Sequence, residues 1–190
     1  MNVFEEDIRH CLSVLQQGGT ILYPTDTIWG IGCDATNPAA IKKIFDIKQR
    51  MEAKSMIVLV AGEKDVLKYV ASPDPAVFDF ITTTSKPTTI IYQGGIGIAP
   101  NLVHQDGSVA IRVVRDKFCR HLIKRFNKPI VSTSANFSGD PSPRNFKEVF
   151  IDIRTAVDYI VSYRQDDETF AEASAVIKWN SDGSKTTIRP

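Results

Sequence analysis

The sequence predicts an α/β protein whose helices and mixed sheet form one domain over residues 1–190. Short β-favouring apolar runs alternate with stretches of helical periodicity, and clusters of Gly, Pro, Asn or Ser separate the two. Hydrophobic residues make up 43% of the chain and charged residues 24%, which is the ordinary globular range. A chain of 190 residues is also long enough to bury a core of its own.

The first half of the chain begins with a helix, predicted from the helical spacing of Ile8, Leu12 and Leu15. Asn37 followed by Pro38 predicts the start of a second helix, because asparagine caps helices and proline suits the first turn. The predicted elements here are a helix over residues 3–17, a strand over 20–23, a helix from 38 to the Lys48-Gln49-Arg50 stretch, a strand over 56–60, a helix over 63–70, a short helix near 77–81 and a strand over 88–92.

The second half contains fewer helices and ends in a hairpin, predicted from the turn sequence Asn180-Ser181-Asp182-Gly183 between two β-favouring runs. The predicted elements are a strand over residues 109–114, a helix over 116–126, a strand over 130–132, a helix over 145–153, a strand over 159–162, and hairpin strands over 175–179 and 186–189. Two loops rich in glycine, proline or serine, over 94–100 and 138–143, connect them.

Charge and cysteine content exclude several classes of protein. Lys and Arg number 23 against 22 Asp and Glu, so any RNA contact requires a local basic patch. The three cysteines are far apart, which indicates reduced thiols in a cytosol rather than disulfides or a zinc site. The N-terminus has no apolar signal core, and glycines and Pro100 interrupt the longest uncharged run, over 87–105. We expect a soluble, cytoplasmic protein with no membrane partner.

Polar groups follow the first predicted strand, in the motif Tyr23-Pro24-Thr25-Asp26-Thr27 and the flexible stretch Gly30-Ile31-Gly32. Ligands of open α/β sheets bind beyond the carboxyl ends of strands. Lys48 and Arg50 lie two residues apart, so they can face one ligand only if the helix ends there. Hydroxyls and cations in one crevice favour a phosphorylated, anionic ligand, and a solvated helix end is the alternative.

Two further features fit an anion site. Arg112 lies in an otherwise apolar strand, where it needs an anion or a buried partner. Ser132-Thr133-Ser134-Ala135-Asn136 places hydroxyls and an amide at a strand end, where they can donate to phosphate or ribose oxygens or form a capped turn. The chain has no GxxxxGK[ST] loop, and Gly94-Gly95-Ile96-Gly97 does not match a dinucleotide-binding fingerprint.

Taken together, these motifs resemble the YrdC family in their order and joint spacing over about residues 10–190. The family's KxR and SxN pairs correspond to Lys48/Arg50 and Ser134/Asn136. The resemblance implies a twisted open sheet with a large positively charged cavity, in the short, single-domain form of the family. It also implies synthesis of threonylcarbamoyl-AMP from ATP, L-threonine and bicarbonate. Separate transferase proteins then pass the group to the adenosine next to the anticodon of certain tRNAs.

The resemblance also implies roles for individual residues. Lys48 and Arg50 are the expected catalytic cations, in contact with the carbamate and phosphates. The expected ATP-binding residues are Lys48, Ser132, Ser134, Asn136, Ser142 and Arg189. The expected threonine-binding residues are Thr25, Thr27, Arg112 and Ser174. Mg²⁺ is expected with ATP by analogy, and the loop over 94–100 is the candidate lid that excludes water.

The sequence departs from the family pattern in two places. Met51-Glu52-Ala53-Lys54-Ser55 replaces the usual run through proline to Lys-Pro, so only Lys54 carries over, and Ala53 stands where some members have a threonine-contacting histidine. Ser85-Lys86-Pro87 replaces Pro-Gly-Pro. Two alternatives therefore stay open: a module that binds double-stranded RNA or tRNA without catalysis, and a relative that transfers a different carbamoyl group to a maturation partner.

Overall fold

The computed structural model of the chain describes residues 3–49 and 56–190. Its helices are α1 (Glu5–Gln16), α2 (Pro38–Ile47), α3 (Glu63–Val66), α4 (Ala76–Thr83), α5 (Lys117–Phe126) and α6 (Ile151–Ala156), with 3-10 turns at Pro100–Leu102 and Phe146–Glu148. Its strands are β1 (Ile21–Tyr23), β2 (Gly30–Gly32), β3 (Ile57–Val60), β4 (Thr88–Tyr92), β5 (Val109–Val113), β6 (Ile130–Ser134), β7 (Tyr159–Ile160), β8 (Ala175–Trp179) and β9 (Lys185–Arg189).

The strands form a nine-stranded mixed sheet in the order β7-β1-β2-β6-β3-β5-β4-β8-β9. The pairs β1/β7, β3/β5 and β4/β8 are parallel, and the other neighbours are antiparallel. The predicted α/β class, with a mixed sheet flanked by helices, is therefore confirmed. None of the described helices is long and apolar enough to cross a membrane.

Helices pack on both faces of the sheet, because successive strand residues point to opposite faces. On one face, Leu22, Ile31, Val58, Ile111 and Val131 pack in a cluster with α2 and α4. On the other face, a second cluster packs against α1 and α5, and its strand residues are Ile21, Tyr23, Leu59 and Ile130. This second face is the one that carries the candidate site.

Five predicted elements differ from the structure. Gly30-Ile31-Gly32 is not a flexible stretch but the buried strand β2, paired with β1 and β6. Its glycines permit this pairing, since a Cβ on Gly32 would lie 2.6 Å from the Val131 carbonyl oxygen. Strand β6 extends two residues past its predicted end, and the strand predicted over 159–162 is the two-residue β7. The helix predicted over 63–70 is the four-residue α3, and the one over 145–153 is a 3-10 turn followed by α6.

Candidate active site

A cavity of about 160 Å³ opens on the sheet face that α1 and α5 partly cover. Among the described residues that line it, six carry hydroxyls, two are arginines, and the rest are apolar or glycine. The hydroxyl-bearing residues are Thr27, Ser132, Thr133, Ser134, Ser142 and Ser174, the arginines are Arg112 and Arg189, and the others are Ile28, Gly30, Met56, Ile57 and Ala173.

Strand β6 supplies hydroxyls to the cavity because its side chains point alternately to the two faces of the sheet. Ser132 and Ser134 lie on the same side of β6 as Ile130, whose side chain packs in the cluster under α1 and α5. Gly30 pairs with Ser134 across the neighbouring strand, and a Cβ on Gly30 would lie 2.9 Å from Ser132 Oγ. A glycine at this position therefore keeps the strands close and leaves room beside the two serines.

Arg112 is held at the cavity by a carboxylate from the motif after β1. Its side chain is only 3% exposed, and its Nη2 lies 3.2 Å from Asp26 Oδ1. Asp26 Oδ2 also accepts a hydrogen bond from the backbone N–H of Arg115, at 3.1 Å. The prediction that Arg112 needs an anion or a buried partner is confirmed, and the partner is the carboxylate of Asp26. Its Nε is buried with no hydrogen-bond partner among the described residues, so this arginine keeps donor capacity beside the cavity.

Arg189 approaches from the last strand and lies at the exposed rim of the cavity. Its Nε donates to the Ser174 carbonyl at 2.8 Å, and the Ser174 hydroxyl bonds Thr89 Oγ1 at 2.8 Å. Burial, and then the charge of Arg112, lower the pKa of Arg189 from its ordinary value. Because an anion between two guanidinium groups would offset their repulsion, the cavity favours a negatively charged ligand.

The two threonines of the motif after β1 differ in position. Thr27 lines the cavity, whereas Thr25 is buried behind it and bonds Thr27 Oγ1 at 2.9 Å and the Ile28 carbonyl at 2.8 Å. Thr25 therefore orients Thr27. The same arrangement places Thr25 beside a neighbouring cavity whose lining includes Arg164.

Lys48 lies beneath the turn that follows β6 and not among the described cavity-lining residues. Its side chain is buried, and Nζ donates to the backbone carbonyls of Ser134 and Asn136, the latter at 2.6 Å. Asn136 is also buried, and its amide donates to the Asp140 carbonyl at 2.6 Å. The structure thus places the predicted Lys and SxN residues together, with Lys48 and Asn136 fixing the shape of the turn that presents Ser134.

The remaining predicted features have mixed outcomes. Helix α2 ends at Ile47, as the KxR hypothesis requires, and Gln49 adopts a left-handed conformation with φ of 49°. Arg50 and Lys54 lie outside the described residues. The predicted lid over 94–100 is wrong, because none of its residues lines the cavity and its backbone is bonded to Tyr69 and Ala35. Sequence reasoning missed the cavity contacts of Met56 and Ile57, for which no polar signal exists.

With this geometry established, comparisons with known proteins identify the family. A family model named Sua5_yciO_yrdC and described as "Telomere recombination" matches residues 13–190. The chain belongs to this family. It is 34% identical over 147 residues to threonylcarbamoyl-AMP synthase of Vibrio parahaemolyticus, covering 76% of this chain and 80% of that protein. A threonylcarbamoyl-AMP synthase of Photobacterium profundum is 33% identical over 149 residues, with the same coverage of each chain.

Solved structures of the Sua5/YciO/YrdC family share the fold. P. abyssi Sua5 complexed with L-threonine superposes with a TM-score of 0.86 at 22% identity, covering 100% of this chain and 55% of that one. The chain therefore spans about half the length of this structural relative. E. coli YciO superposes with a TM-score of 0.80 at 20% identity, covering 97% and 88% of the two chains. At these identities the similarity establishes the fold alone.

Proposed function

We propose that the chain is a threonylcarbamoyl-AMP synthase. The amine of L-threonine takes up bicarbonate and loses water, giving a carbamate. A carbamate oxygen then attacks the α-phosphorus of ATP, and the bond to the leaving pyrophosphate breaks. Because every reactant is anionic, catalysis of this kind depends on positioning the groups and neutralising charge on the phosphate.

One observation carries the proposal: two arginines, Arg112 and Arg189, converge on a cavity otherwise lined by hydroxyls. Burial and the charge of Arg112 lower the pKa of Arg189. Asp26 pairs with Arg112, but no described residue of the lining is a carboxylate that could neutralise Arg189. Hydroxyls donate to and accept from phosphate and sugar oxygens, and guanidinium groups pair with carboxylates and phosphates. The names of the relatives above agree with this chemistry.

In this proposal Arg112 binds the threonine carboxylate, because it is the buried cation, and Thr27 and Ser174 contact the other groups of the amino acid. The nucleotide lies along β6, against a second set of residues. The proposed ATP-binding residues are Ser132, Ser134, Asn136, Ser142 and Arg189. Asn136 contributes indirectly, by shaping the turn to which Lys48 is hydrogen-bonded. Contact of Lys48 and of Arg50 with the carbamate or the phosphates stays a prediction.

Magnesium belongs to the proposal as the companion of ATP. Mg²⁺ takes carboxylate ligands from proteins together with phosphate oxygens. The described cavity lining offers hydroxyls instead, and no described group of three or more His, Cys, Asp or Glu could hold a metal. The described residues therefore do not form a protein cage for the ion, and no step above depends on one. A cytoplasmic location, delivery of the product to transferase proteins and modification of tRNA go with the same proposal.

The test is pyrophosphate release from ATP, measured with and without L-threonine and with and without bicarbonate. We expect release to require both co-substrates. Arg112→Ala should lower the rate by about ten- to a hundredfold, since a charge-assisted hydrogen bond is worth about 1.5–3 kcal/mol. Arg9→Ala, which removes an exposed arginine of α1, is the matched control and should leave the rate unchanged.

Substrate dependence separates the alternatives. Release that proceeds equally without threonine would reject the synthase in favour of a different carbamoyl-transfer reaction. No release above background, together with RNA binding, would instead leave a binding module. An Arg112→Ala effect on the KM for threonine rather than on that for ATP would place this residue at the amino acid.

A further inference from the structure

We propose that Arg164 is a positioning residue for L-threonine, because it holds together the two segments that bring Thr27 and Ser174 to the cavity. Thr27 lies in the turn after β1, and Ser174 ends the segment over residues 164–174, called the strap, that leads into β8. Arg164 itself is not among the described residues that line this cavity. The inference rests on the synthase proposal for the identity of the substrate, and it adds a residue that acts through others.

The guanidinium of Arg164 bonds groups from three segments. Its Nη1 donates to the Thr25 carbonyl in the turn after β1 at 3.2 Å. The same nitrogen donates at 3.4 Å to Asp116, which caps α5, and Nε donates at 3.2 Å to Asp167 of the strap. Because a guanidinium is planar and its N–H donors have fixed directions, one side chain sets the spacing of all three segments.

The bond to Thr25 acts on the cavity through the turn after β1. The Thr25 hydroxyl donates to the Ile28 carbonyl at 2.8 Å and accepts a hydrogen bond from the Thr27 N–H at 3.0 Å. It also lies 2.9 Å from the Thr27 hydroxyl. Both threonines are buried, so their side chains are held by their neighbours. A shift of the Thr25 backbone therefore moves the hydroxyl that Thr27 presents to the cavity.

The bond to Asp167 fixes one end of the strap. Asp167 Oδ1 accepts a hydrogen bond from the Thr169 N–H at 3.0 Å, and the Asp167 N–H donates to the Arg164 carbonyl at 3.2 Å. The other end is fixed by Ser174, whose hydroxyl lies 2.8 Å from Thr89 Oγ1. The course of the strap beside the cavity therefore depends on Arg164 at one end and on Ser174 at the other.

Between these ends, the described side-chain contacts of the strap with other segments are weaker. They are the ion pairs Lys147–Glu168 and Lys86–Glu172 and the contact of Arg144 with the Phe170 ring. In each of them both side chains are at least 45% exposed, and exposed contacts of this kind contribute little. Arg164 is 30% exposed and Asp116 is 14% exposed, so the Arg164 contacts are screened less.

The backbone of Arg164 is strained. Its φ is 68°, in the left-handed region, which residues with a Cβ rarely adopt. Such a conformation persists only where the surrounding structure imposes it, and outliers of this kind cluster at functional sites. Glycine adopts it without steric cost, but glycine lacks the guanidinium that bonds the three segments. The arginine at this strained position therefore indicates that its side chain is needed.

Two substitutions separate a positioning role from a merely structural one. Arg164→Gly and Arg164→Ala both remove the guanidinium, but only glycine also relieves the strain. We expect the glycine variant to melt about 2–4 °C above the alanine variant. Both should nevertheless raise the KM for L-threonine in pyrophosphate release equally, by about tenfold, the loss expected for one weakened charge-assisted or hydroxyl contact. The kcat and the KM for ATP should stay near their wild-type values.

Ser72 provides the matched control, because it is exposed and has a left-handed φ of 52°. Ser72→Gly should also melt above Ser72→Ala, and both should keep the wild-type KM for L-threonine. A KM that follows the melting temperature, higher in Arg164→Ala than in Arg164→Gly, would replace the positioning role by a structural one. A wild-type KM in both Arg164 variants would overturn the inference outright.

Amide hydrogen exchange on the same variants decides the inference without depending on activity. Residues 25–28 and 167–174 should exchange about tenfold faster in both Arg164 variants than in wild type, and at the wild-type rate in the Ser72 variants. Absence of pyrophosphate release in wild type would reject the synthase proposal. Faster exchange would even then support Arg164 as the residue that orders both segments at the cavity, whereas unchanged exchange would reject this role as well.

Discussion

Two halves of the same sheet face differ in what covers them. In the covered half, Ile21, Tyr23, Leu59 and Ile130 pack beneath α1 and α5. In the open half, Gly30, Arg112, Ser132 and Ser134 line the cavity. Strand β6 runs from the covered half into the open half within five residues. The same extended strand therefore contributes both a core side chain and cavity-lining side chains.

The two halves also contain different kinds of carboxylate, a buried one at Asp7 and a half-buried one at Asp26. Asp7, in the covered half, accepts hydrogen bonds from Ser162, Tyr159 and Tyr163. Asp26, beside the open half, instead neutralises Arg112. Asp7 therefore holds α1 against the segment that contains its neutral donors. Asp26 instead holds the guanidinium of Arg112 beside the cavity, where it can bind a ligand. We expect substitutions in the covered half to change stability, and those in the open half to change substrate use.

The largest effect should come from the covered half, in Phe118→Ala. Phe118 is fully buried, and its ring packs 5.6 Å from that of Phe4 and 6.0 Å from that of Tyr163. Removing it leaves a cavity, and we expect a loss of about 3–5 kcal/mol in urea unfolding. Pyrophosphate release per folded molecule should not change. Ser134→Ala is the converse control: we expect a lower rate of pyrophosphate release and a nearly unchanged free energy of unfolding. A lower rate in Phe118→Ala together with a lower stability in Ser134→Ala would contradict the comparison.

A smaller loss of stability should follow Asp26→Asn. The amide leaves the guanidinium of Arg112 without its counter-charge, and because the pair borders a cavity we expect about 2–3 kcal/mol, less than for a fully enclosed pair. The carboxylate of L-threonine can supply the missing charge. Threonine should therefore raise the melting temperature of this variant more than that of wild type.

Thermal unfolding with and without L-threonine measures this difference. Asp79→Asn, at an exposed carboxylate of α4, is the control and should respond to threonine as wild type does. If threonine stabilises Asp26→Asn no more than wild type, Arg112 does not bind the amino acid carboxylate.

Two glycines of β2 test the boundary between the halves. A Cβ on Gly32 would lie 2.6 Å from Tyr23 Cε1 and from the Val131 carbonyl oxygen, so we expect Gly32→Ala to cost about 1–3 kcal/mol. A Cβ on Gly30 meets Ser132 Oγ at 2.9 Å, and this hydroxyl can rotate away. Gly30→Ala should therefore cost less stability but raise the KM for ATP. Equal unfolding free energies and equal KM values in the two variants would contradict the division of this sheet face into a structural half and a substrate-binding half.

Much of the fold follows from periodicity, on both faces of the sheet. The strand over 88–92 coincides with β4, and α1, α2 and α5 begin and end within about two residues of their predicted bounds. Strand β2 was missed because glycines carry no β preference. Its pairing depends on close approach to Tyr23 and Val131, which are tertiary contacts.

The site was predictable as a set of residue types but not as an arrangement. An arginine in an apolar strand predicted a partner for Arg112, yet nothing in the sequence identified that partner as Asp26. Lys48 was expected at the ligand because cations attract phosphates, but the structure places its ammonium on backbone carbonyls of the turn after β6. The acceptors that Lys48 reaches depend on how the end of α2 packs against the end of β6. This packing is a tertiary contact that the sequence pattern does not specify.

The smallest effect concerns pH and the carboxylate of the covered half. Burial raises the pKa of Asp7, but hydrogen bonds from the Ser162 N–H, the Tyr159 and Ser162 hydroxyls and the Tyr163 N–H outweigh it and hold the pKa below its ordinary 3.8. A carboxylate with a lowered folded pKa stabilises the protein above its unfolded pKa, and this stabilisation is lost as the pH falls through the folded value.

Unfolding free energies of wild type and Asp7→Asn, measured from pH 7 to pH 2, test this sign. The advantage of wild type should be constant between about pH 5 and 7 and should shrink below about pH 4. Asp79→Asn should show no such change, because its carboxylate is exposed. An advantage that grows as the pH falls would mean that burial, and not the four hydrogen bonds, dominates at Asp7. Ionised Asp7 would then destabilise the covered half rather than stabilise it.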